Sequence, residues 1–270
     1  MGAQPSDTER GPAVLIIGGL LTSWLWYWPV ANRFRDRGAS RVTVARLWLW
    51  HWLVAGFAGP ARSTSVVAAA IDGLAAQDGR PILVVGHSGG GILARLALAR
   101  RAFGAARLAR RDAVGAVVTL GTPHLATHFG GSIGRHGLRA LRFLRALDHS
   151  PGPGDPWATL TVGGRLPDAP ASGASSASRL RRRFSALCYT ALLGRDGRDA
   201  SGDGLVPFQC ALLPHGEGLP LPGYAHAPFL GSPWYLSNDG IDQWWGRAVE
   251  LWQGAVIGGP ASDAALQSDA

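Results

Sequence analysis

The stretch PILVVGHSGGGILARLAL, residues 81–98, changes character in its middle. Ile82–Val85 is a continuous apolar run of the kind buried on both faces of a sheet, whereas the residues from Ile92 onward read as a helix. Between the two halves, Gly86-His87-Ser88-Gly89-Gly90 leaves one hydroxyl at the apex of a tight reversal. Glycines on both sides of a serine let strand and helix backbones pass without side-chain clash. The turn lifts the hydroxyl out of the sheet edge and aims the helix N-terminus at it. A glycine turn with an incidental serine is the alternative, and the rest of the chain decides between the two.

The same alternation recurs along the chain. AVLII (13–17) precedes a Gly-Gly turn and a helix from about Ser23. RVTVARL (41–47), VGAVVTL (114–120), ALCYTALL (186–193) and LPLPGYA (219–225) are further strand candidates. Helices are expected over 63–77, 92–102, 137–149 and 239–252. Apolar strands alternating with helices predict a mostly parallel sheet covered on both faces. Residues 125–185 break the rhythm. They contain one helix followed by a Pro, Gly, Ala and Ser-rich segment at 150–178, and read as a cap or lid inserted into a single domain spanning 1–270. Residues 1–11 and 258–270 read as tails.

A serine hydroxyl near neutral pH needs a base, and the base needs an acid to orient it. On a strand–turn–helix elbow the partners follow in the order Ser, acid, His. Asp203, in SGDGLVPF, is the preferred acid, with Asp196 and Asp199 as competitors flanked by arginines. His226, in GYAHAPF, lies just past the last strand candidate, where catalytic groups collect in open α/β sheets. His215 is the second choice. A tetrahedral intermediate also needs N–H donors. The spacing assigns these to Gly89, directly after the serine, and to Leu20, in the Gly18-Gly19 turn after the first strand.

These motifs carry a resemblance to the α/β-hydrolase superfamily that covers most of the chain. LIIGG, GHSGGG, LGTPH, GDGLVP and GYAHAP stand in the order expected of lipase-like members. The ending GSPWYLSNDGIDQWW is similar to cyanobacterial and plant plastid lipase-like hydrolases, and more distantly to GPI inositol-deacylases. The resemblance implies an α/β-hydrolase fold with a lid-like insertion, and a lipase-like or carboxylesterase-like serine hydrolase working through an acyl-enzyme. It makes His124, of the Thr-Pro-His motif, a site-lining residue beside Gly19, His87 and Trp24. Gly18 stands where many lipases have histidine. The same triad also serves acyltransferases, thioesterases and amidases, and a non-catalytic lipid-binding protein on this fold is the reading from a different class.

Composition narrows the partners. All 26 basic residues are arginine, and the formal net charge is +8. The arginines are scattered, and the densest run, RLRRR at 179–183, has no interleaved aromatics, which argues for a solvated or membrane-facing patch and against nucleic acid. Six of the 11 tryptophans fall in WLWYW (24–28) and WLWHW (48–52). Alternating tryptophans cannot all be buried on one side, so some should line an acyl pocket or a membrane interface. A hydrophobic acyl ester or lipid is the expected substrate. No metal-ligand spacing appears, and no cofactor is expected. No signal peptide or membrane span is apparent, so the chain reads as cytoplasmic, with peripheral membrane contact left open. Cys188 and Cys210 are expected as free thiols.

Overall fold

The computed structural model describes residues 10–129, 131–149, 157–167 and 176–258. The elements in chain order are β1 (Ala13–Ile17), α1 (Trp28–Arg35), β2 (Arg41–Val44), α2 (Leu49–Ala58), α3 (Ala61–Asp78), β3 (Ile82–His87), α4 (Gly89–Ala97), β4 (Val114–Leu120), α5 (Gly131–Asp148), β5 (Ala158–Arg165), α6 (Ser176–Leu193), α7 (Phe208–Ala211), β6 (Glu217–Pro222) and α8 (Asn238–Gly258). The strands form a six-stranded sheet in the order β2-β1-β3-β4-β5-β6, and every neighbouring pair is parallel.

Side-chain alternation distributes the core to two faces. Leu15, Ile17, Ile82, Val84 and Val117 pack with Trp52, Val67, Ile71, Leu93 and Leu144 on the side of α2 to α5. Val14, Ile16, Leu83, Val85, Val118 and Leu160 pack with Phe34 of α1 and Ile241, Trp244 and Trp252 of α8 on the other. Burial on both faces explains the unbroken apolar runs of β1, β3 and β4. Pro220 and Pro222 cannot donate to a ladder, and β6 accordingly occupies the sheet edge.

Two expectations are corrected. Residues 186–193 belong to α6 and are not a strand; a short apolar run does not distinguish the two states, and here it continues a helix that begins at Ser176. The stretch 125–185 is not one inserted lid, because Ala158–Arg165 is a sheet strand between β4 and β6. Its Pro/Gly/Ser-rich surroundings and its threonines masked it. Thr161 tolerates full burial because its hydroxyl donates to the Glu217 carbonyl at 3.2 Å and accepts the Leu213 N–H at 3.4 Å. Within the stretch, α5 connects β4 to β5. Residues 150–156 and 168–175, and the outer parts of the expected tails at 1–9 and 259–270, lie outside the described residues.

Trp252 ties α8 to the sheet. Its indole N–H donates to the Pro81 carbonyl at 2.7 Å, and its ring occupies the space that a side chain at Gly115 would fill. Trp252→Ala is expected to cost about 3–5 kcal/mol, read as a lowered urea midpoint; a loss below about 1 kcal/mol would contradict this packing role.

Candidate active site

Ser88 sits where β3 gives way to α4, at φ 54° and ψ −126°. A non-glycine residue in this region is strained and persists only when its surroundings hold it. They do so here: the Ser88 N–H donates to the Leu120 carbonyl at 2.8 Å, and the Thr122 hydroxyl donates to the Ser88 carbonyl at 2.9 Å. The helix start is crowded against β1, since a methyl group at Gly90 would lie 2.3 Å from the Ile17 carbonyl oxygen. Only glycine fits there.

Asp203 and His226 are buried and joined by a 2.7 Å hydrogen bond between Oδ2 and Nδ1. Asp203 reaches the carboxyl end of β5 because the Leu166 N–H donates to the Gly202 carbonyl at 2.8 Å. The His226 N–H donates to the Asp203 carbonyl at 2.8 Å, which docks the loop after β6 onto the acid. The carboxylate receives further donors. Leu205 and Val206 N–H groups reach Oδ1 at 3.0 and 2.7 Å, and the Tyr235 hydroxyl reaches Oδ2 at 2.8 Å. Burial alone would raise the Asp203 carboxyl, but the His226 charge and hydrogen bond, with the two N–H groups, hold it below 3.8. The Asp203 carboxylate accepts from His226 Nδ1, which orients the imidazole through that nitrogen.

Gly121 joins these groups to Ser88. It follows the Leu120 carbonyl that binds Ser88 and adopts φ 55°; a methyl group there would lie 2.6 Å from Asp203 Oδ2 and 2.8 Å from His226 Nδ1. On the other side, a methyl group at Gly19 would lie 3.0 Å from the Ser88 Cβ, and one at Gly89 would lie 3.4 Å from the Leu20 backbone nitrogen. The backbones of Leu20 and Gly89, the expected donors, thus lie close together, and Gly19 abuts the serine. Leu21 holds φ 59° in the same loop. Trp52 closes this side, its ring 3.4 Å from the position of that Gly89 methyl.

Two expected site-lining histidines are corrected. His87 is buried and both ring nitrogens are engaged. Nε2 lies 3.0 Å from the His226 carbonyl oxygen, which can only accept, so Nε2 carries the proton. Nδ1 then accepts from the Tyr27 hydroxyl at 2.8 Å, and that oxygen accepts the Gly19 N–H at 2.9 Å. His87 therefore braces the Gly19 loop against the His226 loop and has no nitrogen left for substrate. Burial, with the charge of His226, pushes its pKa down to about 3. His124 is fully buried, its ring meeting the Thr119 hydroxyl at 2.8 Å and Arg95 at 3.5 Å rather than Ser88, Asp203 or His226. Burial and the Arg95 charge keep it neutral. Trp24 is half-buried and packs edge-to-face on Trp28 and Trp48, joining the two tryptophan runs. His215, exposed at 3.7 Å from Asp148, and the exposed Asp196 and Asp199 stand outside this cluster.

Tyr27, Tyr235 and Trp52 are site neighbours that sequence reasoning missed. The signal for the tyrosines was available: a buried tyrosine hydroxyl needs a partner, and Tyr27 is the lone tyrosine in a tryptophan run.

A parallel sheet with a strained serine between its third strand and the following helix, and an Asp–His pair at the ends of later strands, defines an α/β-hydrolase fold of lipase-like architecture. The PGAP1-like alpha/beta domain family matches residues 65–132, which include the elbow. Lipase BlEst2 from Bacillus licheniformis, in its mature form, is similar over 93% of this chain and 96% of its own, with a TM-score of 0.58 and 18% identity. EstA from Clostridium botulinum is similar over 90% of this chain and 88% of its own, with a TM-score of 0.51 and 12% identity. Among curated proteins no match emerges.

The His87 environment sets a pH dependence. The unfolded chain protonates this imidazole near 6.5, whereas the folded chain resists until about 3. Its contribution to stability is therefore present above 6.5 and is lost as pH falls toward 3. Between about pH 6.5 and pH 4, His87→Gln should flatten the fall of stability by up to ~1.4 kcal/mol per pH unit, measured by urea unfolding. Equal slopes for both proteins would contradict a His87 held neutral by the fold.

Proposed function

We propose that this protein is a serine carboxylic-ester hydrolase acting on a hydrophobic acyl or lipid ester. One observation carries the reading: the Asp203 carboxylate bonds His226 Nδ1 at 2.7 Å, and Gly121, packed against both groups, follows the Leu120 carbonyl that holds the strained Ser88. Ser88 Oγ attacks the acyl carbonyl while His226 Nε2 takes its proton, and the developing oxyanion is received by the Leu20 and Gly89 N–H groups. His226 returns the proton to the departing alcohol. It then activates a water molecule that releases the acid and restores Ser88. Neither step requires a metal or cofactor. The lipase name of the Bacillus licheniformis relative agrees with this chemistry.

The walls of the site support an apolar substrate. Leu20 and Leu21, in the loop after β1, and Trp50 and Leu53, on α2, are exposed large apolar side chains, and Leu20 and Trp52 of α2 lie against Gly89. Such an expanse marks a site for apolar ligands or surfaces. Ester turnover should fall by at least on the order of 10⁴-fold in Ser88→Ala and His226→Ala, and by roughly 10⁴-fold in Asp203→Asn, with the fold intact by circular dichroism. Across p-nitrophenyl esters of increasing chain length, kcat/KM should rise with acyl length. Undiminished turnover in Ser88→Ala would overturn the mechanism, and a preference for acetate would overturn the substrate class.

A further inference from the structure

Helix α6 is built inside out. Leu180, Phe184 and Leu187, at i, i+4 and i+7, form one stripe, the pattern by which a helix normally covers a core. Here the stripe faces solvent, with 70%, 43% and 70% of the respective residue surfaces exposed. The inward side carries Ser178, Ser185 and the buried Tyr189. The helix makes at most marginal contact with the other named helices and strands. It is held mainly through its C-terminal half. Leu192 accepts the Thr127 and His128 N–H groups at 3.0 and 3.1 Å, and the Tyr189 hydroxyl accepts the Gly204 N–H at 2.8 Å.

The charge around the stripe says what covers it. Arg179, Arg181, Arg182 and Arg183 are exposed on the same turns, and Ser176–Leu193 contains no acidic residue. An open groove beside the helix is lined by Arg179, Arg182, Arg183 and Arg198, against one carboxylate, Asp196. An apolar stripe bordered by arginines is complementary to a surface with an apolar interior and anionic head groups. Arginine suits phosphate through its planar fork of donors. We propose that the outward face of α6 docks on an anionic lipid bilayer, with Leu180, Phe184 and Leu187 entering the acyl boundary and the flanking Arg179 and Arg183 on lipid phosphates.

The placement ties this surface to the candidate site. Arg181 donates to the Leu230 carbonyl at 3.2 Å, in the loop that carries His226, and the neighbouring Phe229 is 72% exposed. Tyr189 holds Gly204, next to Asp203. Helix α6 follows β5, while the tryptophan runs follow β1 and β2, so the two apolar surfaces rise from the carboxyl end of the parallel strands on opposite sides of β3 and Ser88. The proposal concerns binding and stands whether or not Ser88 is a nucleophile.

The test is co-sedimentation of the full chain with phosphatidylcholine vesicles prepared with and without phosphatidylglycerol. Binding should require phosphatidylglycerol and weaken with added salt. Arg179→Gln with Arg183→Gln should weaken it roughly 25-fold, about fivefold for each arginine. Leu180→Ser with Phe184→Ser should also release the protein, while leaving its melting temperature and its turnover of a short soluble ester unchanged. Equal binding to both vesicle types, or none to either, would overturn the proposal. So would binding that survives the stripe substitutions and depends on the arginines alone, which describes adhesion to any polyanion. Concentration-dependent self-association abolished by Phe184→Ser, without vesicle binding, would instead assign the face to a second copy of this chain.

Discussion

The close approach of α4 to β1 is the constraint on which the candidate site depends. A helix can start this near a strand only where Gly90 leaves room for the Ile17 carbonyl, and that approach forces Ser88 into a conformation that an L-residue rarely adopts. The strain is held by the Leu120 and Thr122 hydrogen bonds, which come from the end of β4 and the turn beyond it. The same crowding brings the Gly89 backbone opposite that of Leu20. One steric arrangement therefore sets the hydroxyl and both expected oxyanion donors, and any side chain at Gly90 would disturb all three.

Around this elbow, two chains of buried hydrogen bonds meet at His226. In the first, Tyr235, Leu205, Val206 and His226 all donate to Asp203, which keeps a carboxylate ionised away from water. In the second, Gly19, Tyr27, His87 and the His226 carbonyl form a neutral relay whose direction is fixed at its end, because a carbonyl only accepts. The first chain orients the imidazole of His226, and the second anchors its backbone to the loop bearing Leu20. Two histidines whose ring centroids are 4.7 Å apart thus take different parts, one joined to a carboxylate and the other held neutral by burial.

Much of this was legible in the sequence, for identifiable reasons. The unbroken apolar runs of β1, β3 and β4 signal strands buried on both faces, and the elbow is written locally in Gly86–Gly90. Asp203 and His226 could be singled out because chain order and position past a strand are sequence properties. The strand assigned before Asp203 was nevertheless a helix; the acid reaches the sheet through the Leu166–Gly202 hydrogen bond at the end of the overlooked β5. Tyr27 stands out locally as the lone tyrosine of a tryptophan run, but the partners through which Tyr27, Tyr235 and Trp52 act are distant in the chain, so no local pattern reveals what they touch. His87 and His124 adjoin recognisable motifs, yet burial turns both into structural groups, and burial is decided by packing rather than by neighbours in sequence.

The outward stripe of α6 follows the same logic in reverse: a helical period read in sequence predicts a core-facing surface, and tertiary placement turns it toward solvent. The central claim, however, is the nucleophilic role of Ser88. It is tested most directly by exposing the folded protein to a fluorophosphonate and locating the adduct by peptide mass spectrometry. One phosphonyl group per chain is expected on Ser88, formed far more slowly in His226→Ala. Folded wild-type protein that takes up no label with or without detergent, or an adduct that persists in Ser88→Ala, would contradict it.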